Sequence, residues 1–464
     1  MDIDPIRDEF AKVESAIADG PLVPHVTAAE IRAYLGSRFD FKQALPLDEV
    51  VADVERMLRK WQVQVTHPRY FGLYNPSVTL ASVVADTMAA MYNSQLANWR
   101  TSPAANEMER HTLAWLAGKF GLPADSIATF TSGGSEANLT AVVAALTRAL
   151  PEYGERGLRH LDGDPTIYLT EETHHGFNKI AHMTGLGRRS LRIVATESNL
   201  RLNVADLARR VTEDRGNGLL PFMVIGTAGT TAAGIIDPLI EIAQFCKAQG
   251  LWFHADAAYG GAAAVSPNLR DHLAGIEAAD SITCDAHKWL SVPMGCGMFF
   301  CRHRDSVAQA FRSDVTYMPA KPANEDASAT FNPLTHSAQW SRRFIGLKLF
   351  MALAQHGEAG YAEMLDHQAR MGDVLREALA ATGWHIVNST PLPVVCFTRD
   401  GLVPSQLVAE LRERQIAWMS DAEIGGIQTV RACITSFKTT EKDIAWVVRQ
   451  MNDLVSNAPR RKTA

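Results

Sequence analysis

Hydrophobic and polar positions repeat with two different periods along this chain, and the changes of period predict its elements. Short apolar runs rich in β-branched and aromatic residues predict seven strands. Stretches with apolar residues at helical spacing separate several of these runs. Strands that alternate with helices indicate an α/β fold with a mainly parallel sheet covered on both faces. The predicted strands are 127–130, 166–170, 192–195, 222–227, 251–255, 281–284 and 297–301, and the helices between them include 137–149, 204–214 and 237–249.

Helices are also predicted on both sides of this alternating region, and one helix inside the region has clear signals at its two ends. Apolar residues at helical spacing predict an amphipathic helix over 47–61. In the helix predicted at 237–249, Asp237 is expected to cap the first turn and Gly250 to end the last. A small C-terminal α+β domain is predicted from helices at 343–381 and 404–414 and strands at 392–398 and 429–435.

Breaks in these patterns divide the chain into three predicted parts. Residues 302–343 read as irregular because prolines stand among Asn, Asp, Ser and Ala, and we expect a mobile loop at about 315–340. The parts are an N-terminal helical segment at 1–75, a large domain at 76–343 and a small α+β domain at 344–464.

Composition and charge exclude several classes of protein. The net charge is −6 and no basic patch runs along the chain, so neither nucleic acid nor an anionic membrane surface is an expected partner. The N-terminus lacks a signal-peptide pattern, and no apolar stretch reaches the roughly 18 residues of a membrane span. The six cysteines form no CxxC pair, which favours buried reduced thiols and no metal site. We therefore expect a cytoplasmic protein.

A glycine-rich segment between the strand at 127–130 and the next helix has the features of a phosphate site. Its residues include Ser132, Gly133, Gly134 and Ser135. Glycines allow the backbone to approach a ligand closely, and the N–H groups at the start of a helix attract an anion. When this segment is considered alone, a plain glycine turn before a capped helix is the simpler explanation.

Three further polar residues follow predicted strands of the same α/β region. Asp256 ends an apolar strand, where a carboxylate would need a cation, and Lys288 follows another strand, where an amine forms an imine with an aldehyde. His174 provides an imidazole that stacks on a flat ring and moves protons. Each has an ordinary structural explanation, but together with the phosphate site they match pyridoxal 5'-phosphate (PLP), which has a phosphate, a ring, a pyridine nitrogen and an aldehyde.

Longer motifs carry a specific family resemblance. The sequence resembles the group II PLP-dependent amino-acid decarboxylases, the family of aromatic-L-amino-acid, glutamate and diaminobutyrate decarboxylases, which have fold-type I. The resemblance extends over roughly residues 60–450. Its motifs are HPRYFG at 67–72, SPAANEMER at 102–110, TSGGSEANLTA at 131–141, ETHHGFNK at 172–179, GTAGTTAAGIIDP at 226–238, HADAAYGG at 254–261, DAHKWL at 285–290 and WSRRFIGLKLF at 340–350.

The resemblance implies a reaction, an assembly and a set of site residues. It implies a carboxy-lyase that converts an L-amino acid into an amine and CO₂ through a quinonoid, and a homodimer with active sites at the interface. The N-terminal segment, including the helix at 47–61, would pack on the partner subunit. The implied catalytic residues are Lys288, which bonds the cofactor, Asp256, which pairs with its pyridine nitrogen, and His174, which stacks on its ring. The other implied cofactor-binding residues are Gly133, Gly134, Ser135 and His287 at the phosphate, Ala258 beneath the ring, and Thr227 and Asp285 beside it.

The expected mobile loop departs from the family pattern. Aromatic amino-acid decarboxylases carry a tyrosine on this loop, whereas here Tyr317 stands near the loop's start and no tyrosine follows from 318 to 343. By spacing, Phe331 occupies the position, or Leu334 if the loop is aligned differently. Neither side chain donates a proton. Family members with phenylalanine there resemble aldehyde synthases, so decarboxylation-dependent oxidative deamination to aldehyde, ammonia and peroxide is an alternative function.

The substrate remains open at this stage. Tyr74, Asn75, Pro76 and Ser77 align with positions that line the substrate pocket in the family, and Phe331 joins them. Asn75 and Gln95 are more polar than an indole or catechol pocket favours, so 2,4-diaminobutyrate stands beside an aromatic amino acid as a candidate. Two other classes are a PLP-fold binding protein without activity and a lyase that cleaves a Cα–Cβ bond. The DAHKWL and WSRRF motifs fit decarboxylases better.

Overall fold

The computed structural model describes Val13, Ile17, residues 20–313 and residues 331–457. Tyr317 and most of the predicted mobile loop lie outside these residues. The described residues form two compact units: a larger one within 78–369 and 388–394, and a smaller one of the other described residues. The three-part division expected from the sequence stays a prediction.

Helices occupy the segments predicted from helical spacing, including 47–61, 137–149 and 404–414, and others occur elsewhere in the described residues. Helix α11 is interrupted at Gly357, where φ is 65°, a conformation outside the helical region. The helices are α1 (Ala28–Arg38), α2 (Leu47–Lys60), α3 (Leu80–Tyr92), α4 (Pro103–Lys119), α5 (Gly134–Ala149), α6 (Tyr153–Arg156), α7 (Gly176–Met183), α8 (Val204–Gly216), α9 (Leu239–Gln249), α10 (Arg304–Ala310), α11 (Leu347–Ala381), α12 (Pro404–Glu413) and α13 (Glu441–Asn457).

The larger unit is built on a sheet to which the described residues contribute seven strands. In sheet order the strands are β1-β7-β6-β5-β4-β2-β3, and β7 runs antiparallel to both of its neighbours. The pairings from β6 to β3 are parallel, which confirms the predicted α/β class and the mainly parallel sheet. The strands are β1 (Ile127–Thr131), β2 (Pro165–Leu169), β3 (Leu191–Ile193), β4 (Leu220–Thr227), β5 (Trp252–Asp256), β6 (Ser281–Asp285) and β7 (Gly297–Cys301).

Helix α5 packs directly across this sheet. Its buried face is formed mainly by alanines, including Ala137, Ala141 and Ala145, which are fully buried. Because alanine side chains are small, the helix axis can lie close to the strands. The first turn of α5 thereby lies at the carboxyl ends of the parallel strands, where open α/β sheets bind ligands.

Two expectations from the sequence are wrong in detail. Residues 304–310 form helix α10, although 302–343 was expected to be irregular. Asp237 does not cap α9: Pro238 is the N-cap residue, and the Asp237 carboxylate accepts hydrogen bonds from the backbone N–H groups of Thr227 and Leu202, both at 2.8 Å. Gly250 ends α9 in the left-handed conformation, as predicted.

The smaller unit contains a four-stranded sheet within the described residues. Its strand order is β10-β11-β9-β8, and its two outer pairs are antiparallel. Its core consists mainly of apolar side chains from this sheet, from α12 and α13 and from the last turns of α11. No helix among the described residues is long and apolar enough to cross a membrane. The strands are β8 (His385–Ile386), β9 (Val394–Thr398), β10 (Ser420–Ile424) and β11 (Ile427–Cys433).

Candidate active site

The glycine-rich segment after β1 is in close contact with residues from two other strand ends. A Cβ atom on Gly134 would lie 2.8 Å from an Asp285 carboxylate oxygen and 3.4 Å from the Ala258 Cβ. A Cβ atom on Gly133 would lie 3.4 Å from the His287 ring. Glycine is therefore needed at 134 for this close approach, whereas a Cβ atom on Gly133 would make only an ordinary contact. The N-terminus of α5 faces the ends of β5 and β6, as an anion site requires.

Lys288 and Asp285 form an ion pair beside this segment. The Lys288 ammonium lies 3.1 Å from the Asp285 carboxylate, and their side chains are 21% and 2% exposed. The other Asp285 oxygen and the Thr227 hydroxyl are buried and have no hydrogen-bond partner among the described residues. Buried polar atoms are ordinarily satisfied, so two unsatisfied oxygens fit a polar ligand such as PLP.

Asp256 is buried at the end of β5 with only 4% of its surface exposed. One carboxylate oxygen accepts from the Ala258 N–H at 3.2 Å and the other from the Asn138 side-chain amide at 2.9 Å. No lysine, arginine or histidine of the described chain forms an ion pair with Asp256. A buried carboxylate without a cation costs several kcal/mol, so this position fits a protonated pyridine nitrogen.

Two histidines of the site have the same tautomer. The Nδ1 atoms of His174 and His287 accept from the N–H groups of Gly176 and Cys296, both at 3.1 Å. Burial lowers the pKa of both rings, which favours their neutral forms. Each neutral imidazole therefore carries its proton on Nε2, where it serves as a hydrogen-bond donor.

His174 lies on the same side of the segment as Ser135. A Cβ atom built on Gly176 would meet both side chains, at 2.7 Å from His174 Nδ1 and 3.4 Å from the Ser135 hydroxyl. The ends of β2, β4, β5 and β6 and the start of α5 thus supply the predicted cofactor-binding residues within one unit.

Comparison with known proteins agrees with this arrangement. Residues 38–399 match the family model described as the pyridoxal-dependent decarboxylase conserved domain. The chain belongs to this family. The aromatic-L-amino-acid decarboxylase of Bacillus atrophaeus is 29% identical over 401 residues, which cover 84% of this chain and 82% of that protein. The phenylacetaldehyde synthase of Arabidopsis thaliana is 26% identical over 466 residues, 96% of this chain and 93% of that protein. The crystal structure of Oryza sativa TDC with PLP and tryptamine superposes with a TM-score of 0.88 at 25% identity, covering 98% of this chain and 96% of that one.

The family and the superposition confirm the predicted fold-type I and PLP as the cofactor of this decarboxylase. The chain is accordingly a carboxy-lyase that acts on amino acids. The individual roles expected for Lys288, Asp256, His174 and the other site residues stay predictions, although the structure brings the cofactor-binding set together.

The segment predicted to line the substrate pocket of this decarboxylase belongs to the smaller unit. The guanidinium of Arg431 lies 5.0 Å from the centre of the Tyr74 ring. The Asn75 carbonyl accepts from the Thr435 hydroxyl, and the Ser77 and Ser436 hydroxyls share a hydrogen bond, both at 2.7 Å. Pro76 between them is buried. These contacts fix the segment against the chain that follows β11.

Phe331 of the decarboxylase belongs to the larger unit, at the edge of the described residues. It packs against the core cluster that contains Phe299 and Ile127, and its ring centroid lies 4.8 Å from that of His336. Leu334 is buried. The part of Phe331 in substrate binding stays a prediction, and so does the choice between Phe331 and Leu334 as the position of the loop tyrosine.

Two residues beside Asp256 carry hydrogen bonds that the sequence reasoning did not assign. Asn138 and His254 lie inside two of the family motifs, which by themselves indicate no role for either residue. The signal was present: Asn138 follows Gly134 by one helical turn, and His254 precedes Asp256 by two strand positions. Residues at these spacings share a face.

Proposed function

We propose that this decarboxylase is a homodimer that converts aromatic L-amino acids into amines and CO₂, with Lys288, Asp256 and His174 as its catalytic residues. The single observation that carries the assignment of residues is Asp256, a buried carboxylate with neutral hydrogen-bond donors and no cationic partner within the described chain. Bound PLP supplies an electron-accepting ring for the electrons released when the carboxylate bond breaks.

Different residues would bind different parts of PLP. Backbone N–H groups at Gly133, Gly134 and Ser135 would hold the phosphate, and His287 would donate to it from Nε2. The Thr227 hydroxyl and the free Asp285 oxygen would take the remaining polar contacts, since both lack a partner in the described chain. Lys288 would hold the aldehyde carbon.

Charge and proton placement follow from the same contacts. The Asp256 carboxylate favours a protonated pyridine nitrogen, because an unpaired buried anion is costly. The Asp285 carboxylate neutralises the Lys288 ammonium at 3.1 Å until the amine is used. His174 is neutral and would donate from Nε2 to an acceptor on the substrate, since its Nδ1 is already occupied by the Gly176 N–H.

The choice of an aromatic substrate is supported by the similarity to the Bacillus atrophaeus enzyme and to Oryza sativa TDC. The oxidative alternative is not favoured, because the family is described as decarboxylases and the relatives include aromatic-L-amino-acid and tyrosine decarboxylases. The Arabidopsis thaliana aldehyde synthase has the same family scaffold, so the assay must separate the two reactions.

A homodimer is supported by an apolar stripe on the outer face of α3. Side chains three and four residues apart share one side of a helix, and a contiguous exposed stripe of this kind marks a protein interface. The stripe consists of Leu80, Val83, Val84, Met88 and Met91, which are between 38% and 75% exposed.

A cytoplasmic location stays an expectation.

The experiment is a substrate panel on the PLP-loaded protein. L-Tryptophan, L-tyrosine, L-phenylalanine, L-glutamate and L-2,4-diaminobutyrate are each supplied, and CO₂, amine, aldehyde and peroxide are measured. We expect equal CO₂ and amine from an aromatic substrate, with no peroxide. Turnover confined to a polar substrate refutes the aromatic assignment, and equal aldehyde and peroxide refutes amine formation.

A further inference from the structure

Four buried side chains form a connected path that ends on Asp256. Trp252, His254 and Asp256 occupy alternate positions of β5 and therefore lie on one face of the sheet. Ser281 is the register partner of His254 on the neighbouring strand β6. Asn138 is on α5, which packs against this face of the sheet. None of the five side chains is more than 5% exposed.

Each step of the path is a hydrogen bond of ordinary length. The Trp252 Nε1 and Ser281 Oγ atoms are 2.8 Å apart, and Ser281 Oγ and His254 Nδ1 are also 2.8 Å apart. His254 Nε2 lies 3.0 Å from Asn138 Oδ1. Asn138 Nδ2 lies 2.9 Å from an Asp256 carboxylate oxygen. The path is therefore unbroken from Trp252 to Asp256.

Donor and acceptor rules fix the direction of every bond in this path. An ionised Asp256 only accepts, so Asn138 presents its NH₂ group to it and its carbonyl oxygen to His254. His254 must then donate from Nε2 and accept at Nδ1. The indole of Trp252 only donates, so the Ser281 hydroxyl accepts from it and donates to His254. All four donors thus point toward Asp256.

The protonation of His254 agrees with this direction. Burial lowers the pKa of His254 to about 4, so the ring is neutral at physiological pH and carries one proton. The Thr283 hydroxyl lies 3.5 Å from the same Nε2 atom, at the limit of a hydrogen bond, and is a second, weaker acceptor for that proton. A chain of aligned hydrogen bonds polarises its members and strengthens the last one.

We propose that Trp252, Ser281, His254 and Asn138 act as a positioning relay that keeps the Asp256 carboxylate ionised and aimed at the ring nitrogen of bound PLP. The inference rests on the proposed role of Asp256. The relay stabilises the negative carboxylate over the neutral acid, so the shared proton stays on the ring nitrogen. Removing a donor shifts that proton toward Asp256 and loosens the aim of its side chain.

The test uses PLP labelled with ¹⁵N at the ring nitrogen, because the chemical shift of this atom reports its protonation apart from turnover. The PLP dissociation constant of each variant is measured as well. We expect Asn138→Leu to weaken PLP binding by about 10-fold to 100-fold and to move the shift toward that of an unprotonated ring, since a charge-assisted hydrogen bond is lost. His254→Leu is expected to change both quantities in the same direction.

His254→Gln is the conservative partner of His254→Leu. A glutamine amide can donate to Asn138 and accept from Ser281, so we expect it to keep the wild-type ¹⁵N shift and affinity within about 3-fold. If Asn138→Leu or His254→Leu fails to fold, Trp252→Phe removes only the first donor and is expected to move the shift by a smaller amount in the same direction.

Tyr168→Phe is the matched control. It removes the buried hydroxyl of Tyr168, on strand β2 of the same sheet, which donates to Asp214 of helix α8 at 2.7 Å. Among the described residues, the side-chain hydrogen bonds of Tyr168 and Asp214 lead to Thr166 and Arg192 and not to Asp256. We expect an unchanged ¹⁵N shift and an unchanged PLP dissociation constant. A wild-type shift and affinity in folded His254→Leu, or in Trp252→Phe where that variant stands in for it, overturns the relay. Asp256→Asn separates the two claims: if it also leaves the shift unchanged, the role of Asp256 itself is refuted.

Discussion

Gly134→Ala places a single methyl group at the centre of the proposed phosphate site. The new Cβ atom would lie 2.8 Å from an Asp285 carboxylate oxygen and 3.4 Å from the Ala258 Cβ. Carbon atoms pack against their neighbours at about 3.5–4.0 Å, so Asp285 must move away. Asp285 also pairs with Lys288 at 3.1 Å, and its displacement therefore disturbs the lysine that would bond PLP.

The magnitude follows from two opposed effects. Overpacking of a well-packed site costs about 1–3 kcal/mol, whereas alanine in place of a helical glycine gains about 0.5–1 kcal/mol. At the proposed phosphate site the steric cost falls on cofactor binding as well. A loss of about 1–3 kcal/mol weakens the affinity for PLP by about 5-fold to 150-fold. We expect little net change in the stability of the cofactor-free protein and a large loss of PLP affinity.

The control is Gly118→Ala, which also stands within two residues of a helix end. A Cβ atom on Gly118 meets nothing within 4 Å, so only the helical gain applies. Thermal unfolding of both variants without PLP and titration of both with PLP measure the two effects. The reasoning is refuted if Gly134→Ala binds PLP with wild-type affinity, or if Gly118→Ala loses affinity to the same extent.

Two further predictions concern residues outside the proposed phosphate site. Burial raises the pKa of Asp237 to about 6, above its usual value of about 4. The folded protein therefore ionises Asp237 less readily than the unfolded chain does, and the free energy of unfolding declines as pH rises from about 4 through 6. Asp237→Asn should remove that decline. It should also lower the free energy of unfolding by about 1–3 kcal/mol at pH 5, because one of the two backbone N–H donors then faces an NH₂ group. Urea unfolding at pH 4, 5 and 7 measures both effects, and an unchanged pH profile contradicts the prediction. Met91→Glu on α3 should shift the mass measured by light scattering toward the monomer, whereas Met183→Glu, at a similarly exposed methionine (63% against 67%), should not; equal masses for both variants would argue against the α3 interface.

The fold was largely predictable because its signals are local. The apolar runs at 251–255 and 281–284 predicted β5 and β6 within a residue at each end, since buried parallel strands are almost continuously apolar. The left-handed Gly250 at the end of α9 was predictable for the same reason, because only local backbone geometry decides it.

Errors arose where a distant contact outweighs the local pattern. Asp237 has the ideal sequence position for a helix cap, but the N–H groups of Thr227 and Leu202 approach it from other elements. Spacing places Asn138 on the same face as Gly134 and His254 on the same face as Asp256, but the bond between Asn138 and His254 joins residues 116 positions apart, and no spacing rule reveals that bond. The predicted substrate residues, such as Tyr74, cannot be assigned from sequence alone, because their contacts, here with Arg431, decide what they offer to a ligand.

The central claim is that this decarboxylase uses Lys288 to release CO₂ from an amino acid. The most direct measurement compares wild-type protein and Lys288→Ala, both supplied with PLP and L-tryptophan or L-tyrosine, by CO₂ and amine formed and by the visible absorbance of bound PLP. We predict equal CO₂ and amine from the wild type and neither product from folded Lys288→Ala. Before the amino acid is added, we predict the imine absorbance band of bound PLP in the wild type and its absence in Lys288→Ala. Retained turnover by Lys288→Ala would contradict the account.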